Sequence, residues 1–214
     1  MQRALLLDID GTLFDSFEAI LASMNEALAE DGEPPLLETD LRPLIGMPVR
    51  RQMALIRGME GPAVERLSER YYLHFEEHVE AGIALYPGVR ETLETLAERP
   101  IGTITTRRTA VARRMLEGAD LSVFFTSVTG GDAVARPKPA PDLVHHAARA
   151  VGRSASDCVA VGDAPVDLRA GRAAGARTVA ALYGYGGVEA LREVEPDGEI
   201  PTFSDLPATL EELD

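Results

Sequence analysis

The segment Ala4-Leu5-Leu6-Leu7-Asp8-Ile9-Asp10-Gly11-Thr12-Leu13 decides the fold. Its apolar run is short and ends in an acidic, glycine-containing turn, the pattern of a strand buried on both faces. Such strands build parallel sheets, and in an open parallel sheet ligands sit beyond the carboxyl ends of the strands. Asp8 and Asp10 fall at such an end. Alternation along an extended chain turns their side chains the same way. Two carboxylates so placed repel each other unless a cation sits near them or one is protonated. Gly11 and Thr12 can turn backbone N–H groups toward a phosphate. The same residues also suit a solvated turn after a strand, so the rest of the chain must decide.

Further short apolar runs lie at Ile101 to Thr105, Val123 to Thr129, Cys158 to Val161 and Thr178 to Leu182. Helical patterns near 89–98, 109–117, 141–151 and 166–174 alternate with them. This alternation predicts an α/β fold, a Rossmann-like parallel sheet with crossover helices. One interval breaks the rhythm, since no convincing strand lies between Leu13 and Tyr86. Phe17, Ile20, Leu21, Met24 and Leu28 recur there at helical spacing. A second helical stretch runs from about Pro62 to His78, with Pro at the expected early position. The expected organisation is an all-helical cap, residues 14–86, inserted into a core made of 1–13 and 87–214.

Three more places carry chemistry. Thr105-Thr106 ends the second strand, where a hydroxyl and adjacent amides can bind a phosphoryl oxygen without adding charge. Lys138 lies in Arg136-Pro137-Lys138-Pro139-Ala140-Pro141 and is the only lysine among 21 cationic residues. A compact ammonium can approach a carboxylate and a phosphoryl oxygen together, as a point charge that a planar guanidinium does not mimic. Gly162-Asp163-Ala164-Pro165-Val166-Asp167 joins a strand to a helix. Its two carboxylates suit magnesium, which prefers hard oxygen ligands and keeps several waters, so that one binds directly and the other through water. Asp167 also suits a first-turn acid that favours the helix dipole.

Composition narrows the setting. The formal charge is −14, which disfavours general binding to nucleic acid or an anionic membrane. A small anionic substrate then needs local help from a metal or clustered cations. The single cysteine, Cys158, permits no intramolecular disulfide and fits a reducing cytoplasm. It reads as a buried strand residue. The start of the chain has no signal-peptide pattern, and no run approaches a membrane span. His74 and His78 are four apart, but with no third ligand evident they read as a solvated or partner-facing helix.

The series Asp8-x-Asp10-Gly-Thr, Thr105, Lys138 and Gly162-Asp163-x-x-x-Asp167 resembles the haloacid dehalogenase superfamily. Tyr86-Pro87-Gly88-Val89 and Tyr183-Gly184-Tyr185-Gly186 extend the likeness, and the helical insertion resembles that superfamily's α-helical cap. The resemblance implies a magnesium-dependent phosphatase. Asp8 would be the nucleophile that forms an aspartyl-phosphate, and Asp10 the acid/base. Asp8, the Asp10 carbonyl and Asp163 would hold Mg2+, with Asp167 supporting. Thr105 and Lys138 would complete the phosphoryl cradle beside Gly11 and Thr106, with Lys138 also orienting Asp8. Relatives often carry Asn where Thr106 stands, followed here by Arg107-Arg108.

Asp10 argues against dehalogenation, and the absence of lysine between 14 and 86 argues against phosphonatase chemistry of the Schiff-base kind. The Gly-Tyr-Gly segment is similar to phosphoglycolate phosphatase-like members, so phosphoglycolate is the expected small phosphorylated metabolite. Pyrophosphatase, nucleotidase and phosphomutase activities, and a catalytically silent binding protein, are the alternatives. Within the cap, Leu44 to Arg51, which includes Gly46, could form a specificity loop, and Arg42, Arg50 or Arg51 could meet a substrate carboxylate. A monomer or homodimer is expected.

Overall fold

Leu5 and Leu7 pack on one face of a central sheet, and Ala4 and Leu6 on the other. Both faces are therefore covered, as the unbroken apolar run requires. The computed structural model describes residues 2–214. Five parallel strands form one sheet: β1 (Ala4–Leu7), β2 (Ile101–Thr103), β3 (Cys158–Gly162), β4 (Arg177–Ala181) and β5 (Gly198–Ile200). Their order is β2-β1-β3-β4-β5. The connection leaves β1 toward β2 on one side and later returns to β3 on the other. The carboxyl ends of β1 and β3 thus flank the topological switch point, where open α/β sheets bind ligands. Asp8 follows β1 directly and Asp163 follows β3, and the Asp8 N–H donates to Val161 C=O at 2.9 Å.

Four α-helices lie between β1 and Tyr86: α1 (Phe17–Glu30), α2 (Glu38–Leu41), α3 (Val49–Arg57) and α4 (Pro62–Ala81). The longest pair, α1 and α4, pack along each other through Ile20, Met24 and Leu28 against Val64, Leu67, Tyr71 and Phe75, all buried. Polar pairs line their outer seam. His74 Nε2 lies 2.7 Å from Glu30 Oε1, and Arg70 Nε lies 3.1 Å from Glu30 Oε2. The His74/His78 spacing therefore belongs to a charged helix–helix edge. Where this helical segment leaves and rejoins the sheet, its two ends run side by side. The Asp15 N–H donates to Ala84 C=O at 2.9 Å, and the Tyr86 N–H to Leu13 C=O at 3.0 Å.

The remaining helices complete the layers: α5 (Val89–Thr95), α6 (Thr109–Gly118), α7 (Asp142–Ala150), α8 (Pro165–Ala174), α9 (Val188–Arg192) and α10 (Leu206–Leu213). No helix among the described residues is long and apolar enough to cross a membrane. Cys158 is buried within β3, and burial pushes its thiol up to about 11.

One expected strand does not form. Val123 to Thr129 contains a 3-10 turn at Ser122–Phe124 and a single bridge, Ser127 to Gly102. A side chain replaces part of the ladder. Thr103 Oγ1 donates to Thr129 C=O at 3.0 Å and accepts from the Thr129 N–H at 2.8 Å. Val123 is 85% exposed, so the apolar run is not a buried one. The fifth strand is instead β5, at the opposite edge of the sheet.

Candidate active site

Each acidic residue at the switch point is fixed by a local feature of the chain. Gly11 adopts φ +79°, and a Cβ there would meet Asp163 Oδ2 at 2.2 Å. Glycine is therefore required by close approach as well as by conformation. This corrects one expectation, because the Gly11 N–H donates to Phe14 C=O at 2.9 Å and is not turned outward to a phosphate. Thr12 Oγ1 donates to Asp163 Oδ1 at 3.1 Å. The tail segment reaches the same carboxylate, as the Tyr185 N–H donates to Asp163 Oδ2 at 2.8 Å. Gly184 also lies against it, since a Cβ there would meet Asp163 Cβ at 2.2 Å.

Asp167, in the first turn of α8, accepts the Ala164 N–H at 2.9 Å through Oδ2, while Oδ1 bonds Lys138 Nζ. Lys138 Nζ also lies 3.2 Å from Asp8 Oδ1. That contact is an ion pair without hydrogen-bond alignment, so Asp8 Oδ1 has no hydrogen-bond donor. Asp8, Lys138, Asp163 and Asp167 are all at most 3% exposed. Burial pushes the Asp8 carboxyl up to about 7; Lys138 opposes this, while Asp167 and Asp10 reinforce it. Burial, then Asp167 and Asp8, hold Asp163 well above the usual carboxylate range. For Lys138, burial works against the charge, but Asp167 and Asp8 outweigh it and raise its pKa.

Asp8, Asp163 and Asp167 bring oxygens within 4.8 Å of one another. Three carboxyl groups share one ammonium, so ionising all three would leave two unbalanced negative charges in a buried setting, in line with the raised pKa values of Asp8 and Asp163. Hard oxygen donors, an orphaned Asp8 oxygen and that charge deficit fit a divalent cation. The Asp10 side chain is not part of this cluster.

Asp10 has another partner. Arg107 Nε donates to Asp10 Oδ2 at 2.7 Å, and a terminal guanidinium N–H donates to Oδ1 at 2.8 Å. Ser16 Oγ donates to the same Oδ1 at 2.5 Å. The other Arg107 terminal nitrogen donates to Tyr71 Oη at 2.9 Å, and the guanidinium carbon lies 3.4 Å from the Phe75 ring centroid. Arg107 therefore ties the β1 loop to α4. Sequence reasoning quoted this arginine but gave it no role. The available signal was the pair Tyr71 and Phe75, four apart on one helix, which can receive a planar cation.

Thr105 is buried two residues beyond β2, and its Oγ1 accepts the Arg107 N–H at 3.2 Å. Thr106 lines a small cavity of about 30 Å³ shared by Asp10, Gly46, Gln52, Tyr71 and Arg107. Gly46 from the expected specificity loop thus reaches the cavity. Arg42 and Arg50 do not. Arg42 pairs with Glu38 at 2.6 Å and lies 3.9 Å over the Phe17 ring, and Arg50 is paired with Glu65 on the exposed side. Among the described residues, the cation that lines this cavity is Arg107.

The family model for haloacid dehalogenase-like hydrolases matches residues 5–181. The chain belongs to the haloacid dehalogenase-like hydrolases. Phosphoglycolate phosphatase of Pectobacterium atrosepticum is 32% identical to this hydrolase over 212 residues, covering 95% of this chain and 90% of that protein. Phosphoglycolate phosphatase of Rhodospirillum rubrum is 32% identical over 196 residues, covering 86% and 81%. The crystal structure of a hydrolase from Pseudomonas syringae is 29% identical and superimposes with a TM-score of 0.86, covering 99% of both chains. The chain is an enzyme, a phosphomonoester hydrolase of the haloacid dehalogenase-like family.

Proposed function

We propose that this hydrolase is a magnesium-dependent phosphatase acting through an aspartyl-phosphate on Asp8, with phosphoglycolate as its substrate. The observation that carries the chemistry is the buried Asp8 Oδ1, which lacks a hydrogen-bond donor and is held beside Lys138 at 3.2 Å in an acidic cluster. The substrate follows from relatives named phosphoglycolate phosphatase at 32% identity over nearly the whole chain. Residues 14–86 are read as a helical cap over a core of 1–13 and 87–214, with the hydrogen-bonded backbone segments at Asp15 and Ala84 as the hinge. The enzyme would work in the cytoplasm, as a monomer or homodimer.

In this reading an Asp8 oxygen attacks phosphorus and the bond to the leaving oxygen breaks. Asp10 gives that oxygen its proton. Water then attacks the phosphorus of the phospho-enzyme while Asp10 takes a proton back, and phosphate leaves with Asp8 restored. Lys138 orients Asp8 and, with Thr105 and the loop at Thr106, meets the phosphoryl oxygens. Asp8, the Asp10 carbonyl and Asp163 would hold magnesium, with Asp167 fixed behind them by Lys138 and Ala164. The ion, when bound, screens the nucleophile from the anionic phosphate and stabilises charge in the transition state.

The test is hydrolysis of an aryl phosphate and of phosphoglycolate, pyrophosphate, nucleotides and sugar phosphates, with and without magnesium. Turnover should require the ion and be highest for phosphoglycolate. Asp8→Asn should abolish both turnover and phospho-enzyme formation. Retained activity in that variant would sink the mechanism, and a different best substrate would replace phosphoglycolate.

A further inference from the structure

Arg107 holds Asp10 in a way that conflicts with the work assigned to Asp10. Both carboxylate oxygens are engaged, Oδ2 by Nε at 2.7 Å and Oδ1 by a second guanidinium N–H at 2.8 Å and by Ser16. An acid/base must present an oxygen to the leaving group, so this pair has to part or turn during turnover. The Arg107 side chain is only 6% exposed. A guanidinium left in such a place without a counter-anion is strongly disfavoured, because neither water nor a carboxylate then compensates its lost hydration. Tyr71 Oη and the Phe75 ring supply dipole and quadrupole, but no charge. Release of Asp10 therefore calls for a replacement anion.

The phosphoryl group is poorly suited to be that anion. Its charge is met at the other end of the site, where Lys138 stands with the cluster that fits a divalent ion. Arg107 lines instead the small cavity shared with Gly46, Gln52 and Tyr72, which a shift of the helical segment would widen to admit the non-reacting end of a small substrate. Arg42 and Arg50 are turned to other partners, so the cavity offers no other cation among the described residues.

We propose that Arg107 is a specificity-determining residue that exchanges Asp10 for a carboxylate on the substrate, so that substrates with a second anion free the acid/base and neutral phosphomonoesters leave it clamped. The planar fork that now grips Asp10 matches a substrate carboxylate in the same bidentate manner. Arg107 faces one carboxylate before and after the exchange, and the released Asp10 collects from solvent the proton that it then gives to the leaving oxygen. The proposal rests on the phosphatase reading and deepens it. It assigns carboxylate selection to a core loop after β2, with α4 holding the arginine through Tyr71 and Phe75.

The experiment compares phosphoglycolate with ethyl phosphate, which has a similar reacting end and no carboxylate. Wild-type, Arg107→Met and Arg107→Lys chains are assayed with magnesium, alongside an aryl phosphate. The kcat/KM ratio of phosphoglycolate to ethyl phosphate should fall about 30-fold or more in Arg107→Met, with most of the change in KM. Arg107→Lys, which keeps charge but loses the fork, should fall between. Calorimetric binding of phosphoglycolate to the Asp8→Asn chain should weaken by a similar factor when Arg107→Met is added, a readout independent of turnover. Equal losses on both substrates, or a wild-type ratio near one, would overturn the proposal while leaving a working phosphatase. Failure of the wild-type chain on all three substrates would sink the phosphatase reading itself.

Discussion

Lys138 Nζ bridges two carboxylates, standing 3.2 Å from Asp8 Oδ1 and bonding Asp167 Oδ1, and its side chain is fully enclosed. The same charge cannot be delivered there by a larger group. A guanidinium is planar, and its added atoms would have to displace packed neighbours. Lys138→Arg should lower kcat on an aryl phosphate by about 100-fold or more, as for loss of one preorganised electrostatic contact. Steady-state kinetics on the magnesium-loaded chain measure this. An unchanged rate would make the lone lysine incidental.

The raised pKa of Asp8 gives a signed pH dependence. Its carboxyl moves from the ordinary 3.8 to about 7, chiefly through burial. Between those values the folded, metal-free chain holds a proton that the unfolded chain has released. Stability from this group therefore falls as pH rises through that window, and the loss is complete above about 7. A divalent ion needs the ionised form and competes with that proton. Magnesium affinity, measured by calorimetry, should rise with pH through this window, by up to about tenfold per unit for each proton displaced from Asp8 and Asp163. The gain in Tm on adding magnesium should be larger near pH 8 than near pH 5.5, and Asp8→Asn should flatten the trend.

Gly11 tests the packing around Asp163. Alanine there would place a Cβ 2.2 Å from Asp163 Oδ2 at a φ of +79°. Conformational strain alone costs about 1–3 kcal/mol, and the carboxylate must also move. Gly11→Ala should lower Tm and weaken magnesium binding together. Weakened stability with intact magnesium affinity would mean that Asp163 is not set by this contact.

What the sequence revealed, and what it hid, follows from how local each feature is. β1 was legible because four apolar residues and an acidic turn sit side by side. Lys138 was legible from composition, since arginine stands at every other cationic position. β5 was not, because within Gly198–Ile200 only Ile200 is buried, leaving no apolar run to read. Val123 to Thr129 misled for the opposite reason, as its apolar residues do not imply burial where Thr103 takes over the hydrogen bonding. Arg107 was hidden because its partners are distant in sequence. Asp10 lies 97 residues away and Tyr71 36, so nothing local marks this arginine as buried. The cap arginines Arg42 and Arg50 do not line the cavity beside Asp10, because local glutamate and aromatic partners hold them elsewhere.

Tyr185 separates the two jobs of the Gly-Tyr-Gly segment. Its backbone N–H holds Asp163 Oδ2, whereas its hydroxyl accepts the Ser16 and Phe17 N–H groups at 2.8 and 3.0 Å and donates to Asp15 Oδ1 at 3.0 Å. The hydroxyl thus serves the start of α1, where N–H groups have no partner within the helix. Tyr185→Phe keeps the ring and the backbone contact but strands those buried donors, at a cost of about 1–3 kcal/mol. The variant should melt several degrees lower while magnesium affinity stays within about twofold, because Asp163 is touched only through the main chain. A joint loss of stability and metal affinity would instead show that the hydroxyl and the carboxylate are mechanically coupled through this residue.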